Sequence, residues 1–350
     1  MADATADRGQ EPGGRRALLQ RLLPPLGTAL LVGYMLHSTD LPAVAAALRR
    51  ADLGRVLSVI VLGTVSAWLA DSACLAWILR RTLPTAAEAP GLGLRPLAKL
   101  KAASYVLNIV NYNAATLGMA YVVARRASVG FLEATVALAV MSWLDLVALA
   151  SLLTLGLQVA PDLIAAVPGL QARLQWIVLA VMVLALGSVL ILQSKAPIPR
   201  PLQRLRSWSL LRPLASLRPQ SMIAGVLLRA AFVCIYVLIH HQLLEAFGLA
   251  PSLAALLVLV PVLTVVGVVP LSISGIGTTQ LLARELYRGF APAGVDAVPT
   301  IDAMTTVMIV GFIAGRLLVA LPFLPAIGRE LRLGPPDAKA SAAVDGDEAA

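Results

Sequence analysis

Charged side chains are scarce in this chain, since Asp, Glu, Lys and Arg make up only 13% of its 350 residues. Soluble domains carry about a quarter charged and half apolar residues, whereas 59% of this chain is hydrophobic. Several apolar runs exceed the roughly 18 residues that a bilayer-spanning helix requires. The composition excludes an ordinary soluble domain and predicts an all-α, polytopic membrane bundle of about seven to nine transmembrane helices.

Cysteines and catalytic motifs are equally sparse. Cys74 and Cys234 both lie in apolar runs and follow no metal or disulfide spacing, so we predict that they are core residues. The chain has no GxSxG, HExxH or P-loop motif, and its Asp-x-Asp pair, Asp345 and Asp347, lies in a polar tail. We therefore expect no cofactor, no metal and no catalytic residue.

Acidic residues are absent between Ser194 and Gln220, where there are six basic ones: Lys195, Arg200, Arg204, Arg206, Arg212 and Arg218. An excess of Lys and Arg is typical of cytoplasmic loops and attracts anionic lipid headgroups. We predict a cytoplasmic 194–220 loop that contacts anionic lipid headgroups. Nucleic acid is not an expected partner, because a basic arm that binds DNA requires a soluble platform.

The other basic clusters predict the topology. Residues 80–101 contain Arg80, Arg81, Arg95, Lys99 and Lys101, and the N-terminus contains Arg15, Arg16 and Arg21. Both clusters are predicted to be cytoplasmic loops or tails. Arg329 and Arg332 favour a cytoplasmic C-terminus, which requires 270–289 to act as a span or another segment to be recounted.

Hydropathy divides the chain into a cytoplasmic N-terminal tail at 1–20, a transmembrane domain at 21–327 and a disordered C-terminal tail at 328–350. Predicted spans lie near 22–38, 53–79, 130–158, 174–192, 221–247, 251–269 and 300–326. Segments 98–126 and 270–289 are apolar but interrupted, so they are either spans or re-entrant hairpins. We place the protein in the cell (inner) membrane.

The two interrupted segments resemble each other. "VLNIVNYNAATLGMAYVVARR" (106–126) aligns without gaps to "VVGVVPLSISGIGTTQLLARE" (265–285), which sets Gly118 on Gly277 and Arg125 on Arg284. Paired broken segments in the two halves of a chain indicate a site near the membrane midplane of transporters that are built from repeats. The alignment therefore predicts an internal repeat.

Small polar residues fill both interruptions, and they are the candidate binding residues: Asn111, Asn113, Thr116 and Gly118 in the first, and Ser272, Ser274, Gly275, Gly277 and Gln280 in the second. Backbone that leaves a helix inside a bilayer must be buried in protein or face water. A helix that begins at 278 would present free amides to an anion such as a lipid phosphate, and Arg125 and Arg284 would add charge. The alternatives are small-residue helix packing and, for the asparagines, an interfacial loop.

Four charged residues lie deep within the predicted spans: Asp71, Asp145, Arg229 and Arg316. Ionisable groups at such positions face the bundle interior, where they pair with one another or line a pathway. Asp145 can pair with Arg229 or with Arg316, and the sequence does not choose between them. We include Asp145 among the candidate binding residues.

At 270–280 the sequence resembles the lysylphosphatidylglycerol synthase transmembrane-region family, also described as flippase-like membrane proteins. Pro270, Ser272, Gly275 and Gly277 fit its Pro-x-Ser-x-x-Gly-x-Gly-x-x-Glu motif, and Gln280 replaces the final Glu. In "NAATLGMAYVVARRASVGFLEA", the residues Gly118, Arg125 and Arg126 fit an earlier family motif, as does Asp145 further on. Met119 stands where that motif has a Glu, and Ser142 where an Arg often precedes the Asp.

The resemblance spans about residues 20 to 327 and implies translocation of a lipid or a lipid-linked precursor between leaflets, with the membrane phospholipid or lipid-linked intermediate as the partner. It implies no lysyl transfer, since no aminoacyl transferase domain follows the last span. Two alternatives stay open. One is a membrane-embedded transferase acting on a polyprenyl-phosphate or phospholipid, and the other is a non-transporting scaffold for a partner enzyme.

Overall fold

The computed structural model describes residues 40–83, 89–110, 112–160, 170–193, 217–268, 277–325 and 327–328, together with Leu30, Gly33, Tyr34 and His37. The predicted N-terminal tail, most of the predicted span at 22–38, most of the 194–220 loop and nearly all of the predicted C-terminal tail lie outside these residues. Asn111, Ser272, Ser274 and Gly275, four of the candidate binding residues, also lie outside them.

The described residues form α-helices and contain no β-strand. The helices are α1 (Leu41–Arg50), α2 (Leu53–Thr82), α3 (Leu94–Val110), α4 (Tyr112–Ala127), α5 (Phe131–Val159), α6 (Leu170–Gln193), α7 (Pro219–Ala246), α8 (Leu253–Val268), α9 (Thr278–Tyr287) and α10 (Ala297–Ala320). Short 3-10 turns follow α9 and α10 and precede α3, at Arg288–Phe290, Leu321–Phe323 and Pro90–Leu92. The predicted all-helical fold is confirmed.

Four of these helical segments are long and apolar enough to cross a membrane: Leu53–Thr82, Phe131–Val159, Pro219–Ala246 and Ala297–Phe323. They match the spans predicted at 53–79, 130–158, 221–247 and 300–326. Large apolar side chains remain exposed on their outer faces, for example Leu62 at 67% and Leu227 at 64%. Such surfaces suit contact with lipid tails, because apolar side chains lose nothing by facing hydrocarbon.

Aspartates begin three of the helices. Asp40, Asp52 and Asp296 each accept a hydrogen bond from a backbone N–H in the first turn of α1, α2 and α10, at 3.1, 3.0 and 3.3 Å. A side-chain acceptor at this position satisfies one of the four N–H groups that a helix leaves unpaired, and it stabilises the helix by about 1 kcal/mol. Each cap fixes the residue at which its helix enters the bundle.

Helices α2, α5 and α7 pack against one another at the centre of the bundle. Helices α3 and α4 pack against α2 and α5, α6 lies on the outer side of α5, and α1 and α9 contact α10. The buried apolar residues form two large clusters, one built mainly from α2 to α5 and the other from α7 to α10 with α1.

The bundle has two distinct ends. At the basic end, which we define by Arg81, Arg126 and Arg218, the Arg81 guanidinium donates to the Ser221 hydroxyl at 3.5 Å. At the opposite end, the Asp52 amide donates to the Ala246 carbonyl at 3.0 Å. The positive-inside rule predicts that the basic end is cytoplasmic.

Helices α3 and α4 form a helical hairpin. The start of α3 lies beside the end of α4, where the Arg126 guanidinium donates to the carbonyls of Gly91 and Pro96, each at 3.2 Å. The chain therefore enters at the basic end and returns there, as a re-entrant segment requires. Lys101, predicted as a loop residue, instead lies inside α3 and is 9% exposed, because α3 begins at Leu94.

Helices α8 and α9 form a second hairpin, which enters from the opposite end. The Ala250 amide, just before α8, donates to the carbonyl of Phe290, just after α9, at 3.3 Å. The segment predicted as a span at 251–269 is therefore one arm of a hairpin. This arrangement returns the last helix, α10, to the basic end, which agrees with the cytoplasmic C-terminus that Arg329 and Arg332 favour.

Candidate functional site

Four charged side chains meet inside the bundle, and we call them the central ionic network: Asp71 on α2, Lys101 on α3, Asp145 on α5 and Arg229 on α7. One Asp71 oxygen accepts from Lys101 Nζ at 2.8 Å, and the other accepts from Arg229 Nη1 at 2.8 Å. Arg229 Nε donates to Asp145 Oδ1. The structure thus selects Arg229 as the partner of Asp145.

The central ionic network has no net charge and lies deep within the bundle. Two carboxylates balance two cations, as buried charges require when no water is present to solvate them. Asp71, Asp145 and Arg229 lie about 15–20 Å from the basic ends of their helices, given a rise of 1.5 Å per residue. Four helices are therefore joined through charges at a depth where an unpaired charge is costly.

Aromatic rings surround the cations of this region. The Arg229 guanidinium lies 4.2 Å from the ring centre of Phe232, and the Arg316 guanidinium lies 5.7 Å from that of Tyr105. A cation over an aromatic face is stabilised by about 0.5–2 kcal/mol, more when it is shielded from water. Arg316, the other deep cation predicted from the sequence, thus contacts α3 through the Tyr105 ring.

A second ion pair holds the other hairpin. Arg284 on α9 donates from Nε and Nη2 to the two carboxylate oxygens of Asp302 on α10, at 2.5 and 2.7 Å. The two side chains are 11% and 3% exposed. This bidentate geometry is the strongest form of a salt bridge, because two parallel hydrogen bonds accompany the charge attraction.

The start of α9 requires a glycine. Gly277 has φ of 90°, a conformation that side chains other than hydrogen make unfavourable. Its amide donates to Gln280 Oε1 at 3.1 Å, and Gln280 is 8% exposed. The amide oxygen of Gln280 performs the same helix-capping hydrogen bond that a Glu carboxylate would provide, so the replacement of Glu by Gln preserves the turn.

The start of α4 is more open. Asn113 is exposed, and Thr116 donates to the Tyr112 carbonyl at 3.1 Å. The Tyr112 hydroxyl lies 3.4 Å from the Ser142 hydroxyl on α5, three residues before Asp145. Polar groups thus connect the first hairpin tip with the face of α5 that carries the central ionic network.

The remaining members of the first motif take structural positions. Gly118 lies inside α4, where an added Cβ would be 3.3 Å from a methyl of Leu107 on α3. The guanidinium of Arg125 lies 5.9 Å from the ring centre of Tyr121. Met119, which stands where the resemblance expects a Glu, is 7% exposed within the first apolar cluster, so an apolar side chain suits this position.

The two hairpins approach α10 from opposite ends. Arg284 is level with Asp302, so Gly277, seven residues back along the antiparallel α9, is level with Ile309. Tyr105 is level with Arg316, so Val110, the last residue of α3, is level with Gly311. The end of α3 and the start of α9 therefore lie at similar heights along α10.

The sequence did not identify two members of these ion pairs. The basic cluster at 80–101 places Lys101 in a loop, and no sequence pattern pairs Asp302 with Arg284. A usable signal exists for Lys101, because it lies seven residues into an apolar helix whose neighbours Ala102, Ala103 and Tyr105 are buried.

Among the described residues, no group of His, Cys, Asp and Glu is placed to hold a metal ion.

Comparison with known proteins agrees with the sequence motifs. The family model described as the lysylphosphatidylglycerol synthase TM region matches residues 21–320. No curated protein matches the chain. The matched range covers the described helices α1 to α10, and four of them are long and apolar enough to cross a bilayer. The protein is therefore a multi-pass membrane protein that belongs to the lysylphosphatidylglycerol synthase TM region family.

Proposed function

We propose that the protein moves a lipid, or a lipid-linked precursor, between the leaflets of the membrane. The observation that supports this function is that the end of α3 and the start of α9, which belong to hairpins from opposite ends of the bundle, lie at similar heights along α10. Chains that break inside a bilayer expose backbone amides and carbonyls, which are tolerated where they line a polar cavity. Such a cavity at mid-depth is what a polar headgroup needs in order to cross.

In this proposal the headgroup occupies the space between the tips while its acyl or prenyl tails stay in the surrounding lipid. The residues that would contact the headgroup are those of the two interruptions: Asn111, Asn113, Thr116, Gly118, Ser272, Ser274, Gly275, Gly277 and Gln280. The amides at the start of α9 would donate to a phosphate, because the N-terminus of a helix carries a partial positive charge.

Arg125 and Arg284 have different roles in this scheme. Arg125 lies near the basic end of α4 and is partly exposed, so it would attract an anionic headgroup to that end. Arg284 is held by Asp302, so it would offer charge to a phosphate only in exchange for that carboxylate. We propose that Arg125 acts at entry and that Arg284 acts after the headgroup has reached α9.

The test is translocation of fluorescent lipids in proteoliposomes that contain the wild-type chain or Gly277→Leu. Leucine cannot adopt the φ of 90° at the start of α9, so we expect the variant to lose at least about tenfold in rate. Gly187→Leu on α6 is the matched control, because an added Cβ there has no neighbour within 4 Å. The control should retain the wild-type rate.

Two results would contradict the proposal. One is a wild-type protein that moves no lipid across a broad panel of headgroups while it remains folded. The other is a Gly277→Leu variant that is folded and as fast as the wild type. If the wild type instead modifies a polyprenyl-phosphate or phospholipid, and the modification requires Asp71 or Asp145, the membrane-embedded transferase is the correct function.

A further inference from the structure

We infer that Asp145 is a proton-binding site that couples lipid movement to a proton gradient. The inference rests on the proposed function and adds its energy source. It is carried by the unequal geometry of the two carboxylates in the central ionic network.

Asp71 and Asp145 differ in the number of cations that contact each carboxylate. Asp71 receives Lys101 on one oxygen and Arg229 on the other, so both of its oxygens are bound by charge. Asp145 receives Arg229 on Oδ1 alone. A proton that reaches Asp145 therefore displaces one ionic contact, whereas a proton on Asp71 would have to displace two.

The two carboxylates also differ in exposure. The Asp145 side chain is 27% exposed, whereas those of Asp71 and Arg229 are 9% and 4% exposed. Access runs along α5, where the exposed Ser142 precedes Asp145 by three residues and so lies on the same helix face. The Ser142 hydroxyl is 3.4 Å from that of Tyr112, at the tip of the first hairpin. Protons from the proposed headgroup cavity would reach Asp145 by this route.

The charged groups that act on Asp145 come from three of the surrounding helices. They are Arg229 on α7, Asp71 on α2 and Lys101 on α3. Tyr112 is the titratable group that α4 contributes on this side. Helix α8 contains no titratable residue. Lys101, Asp71 and Arg229 remain connected by their ion pairs when Asp145 is neutral. When Asp145 is protonated, Asp71, Lys101 and Arg229 together carry a net charge of +1.

Protonation changes the connection between helices. The proton adds to the Asp145 carboxylate, no covalent bond other than O–H forms, and the ionic contact with Arg229 Nε is lost. Arg229 stays on Asp71, so α2, α3 and α7 remain joined while α5 is released from α7. Because α5 also contacts α4 and α8, one arm of each hairpin, its release would move an arm of both hairpins.

The experiment measures lipid translocation in proteoliposomes with a proton gradient of one pH unit in either direction. For the wild type we expect a rate ratio between the two directions of up to about tenfold, the factor in proton activity that one pH unit represents. Asp145→Asn cannot bind the proton, so its ratio should be one. Asp145→Glu should restore a ratio above one, which a purely structural role would not require. Glu133→Gln, an exposed change of the same type on α5, is the control and should behave as the wild type.

A second measurement does not depend on transport. Spin labels at Leu132→Cys on α5 and Ile223→Cys on α7, both exposed near the basic end, report the α5–α7 distance in nanodiscs. Replacement of Cys74 and Cys234 by Ala provides the background. We expect the distance to increase from neutral to acidic pH, and we expect Asp145→Asn to show the larger distance at both.

The outcomes separate the two proposals. Wild-type lipid movement that ignores the gradient overturns the coupling and leaves the proposed function intact, and so does an Asp145→Asn variant that responds as the wild type does. Absence of any lipid movement overturns the proposed function. In that case the α5–α7 distance tests the proton-binding site, and a distance that does not change with pH overturns that site.

Discussion

The two hairpins have similar topology but are held in the bundle by different interactions. The α3–α4 hairpin contributes Lys101 to a network in which four helices share two carboxylates. The α8–α9 hairpin contributes Arg284 to a bidentate pair with Asp302 on α10. In the first hairpin the loss of the Lys101 contact leaves Asp71 bound to Arg229, whereas in the second both Asp302 oxygens bind the same guanidinium.

This difference indicates that the two hairpins have different mechanical roles. A shared network can lose one contact and keep another, because Asp71 and Arg229 each have two ionic partners. A bidentate pair fixes geometry, because two parallel hydrogen bonds join the guanidinium to the carboxylate. We therefore expect the α8–α9 hairpin to act as the fixed element and the α3–α4 side, with α5, to rearrange during transport.

The largest expected effect is on the bidentate Arg284–Asp302 pair. Asp302→Ala leaves the buried Arg284 without its carboxylate and should lower the free energy of unfolding by about 3–5 kcal/mol. Lys101→Met should cost clearly less, because Asp71 keeps Arg229. Thermal unfolding in detergent compares the two variants, and equal losses would show that the hairpins are held alike.

An intermediate effect is expected at the glycines that the alignment equates. Gly277→Ala should cost about 2 kcal/mol, because its φ of 90° strains any side chain. Gly118→Ala should be close to neutral, because it replaces a glycine within a helix and meets only a movable Leu107 methyl at 3.3 Å. Apparent melting temperatures measure both, and a larger loss for Gly118→Ala would overturn the assignment of the rigid turn to the second hairpin.

The smallest effect is expected at the positions where the resemblance places glutamates. Gln280→Leu removes the acceptor of the Gly277 amide and should cost about 1 kcal/mol, whereas Gln280→Glu should keep the cap. Met119→Leu conserves volume in an apolar cluster and should cost less than about 1 kcal/mol. Chemical denaturation of the three variants tests this order, and a Gln280→Leu variant as stable as the wild type would exclude the cap as a stabilising contact.

Much of the fold was predictable, because it depends on local properties of the chain. The spans at 53–79, 130–158, 221–247 and 300–326 follow from apolar length, and the ends of the observed helical segments differ from these bounds by at most three residues. The break between α3 and α4 follows from three asparagines within six residues. The candidate site was less predictable. Asp145 and Arg284 are predicted binding residues, yet their partners lie 84 and 18 residues away along the chain.

The sequence by itself determined that this is a helical membrane protein, where its four long spans lie and which family it belongs to. These features depend on hydropathy, capping side chains and short motifs, all of which act within a few residues. Only the tertiary structure decided that Lys101 is buried, that Arg229 joins two aspartates and that the hairpins enter from opposite ends. The physical reason is that charge pairing and hairpin direction depend on which helices are neighbours, and helix neighbours are set by packing across the whole bundle.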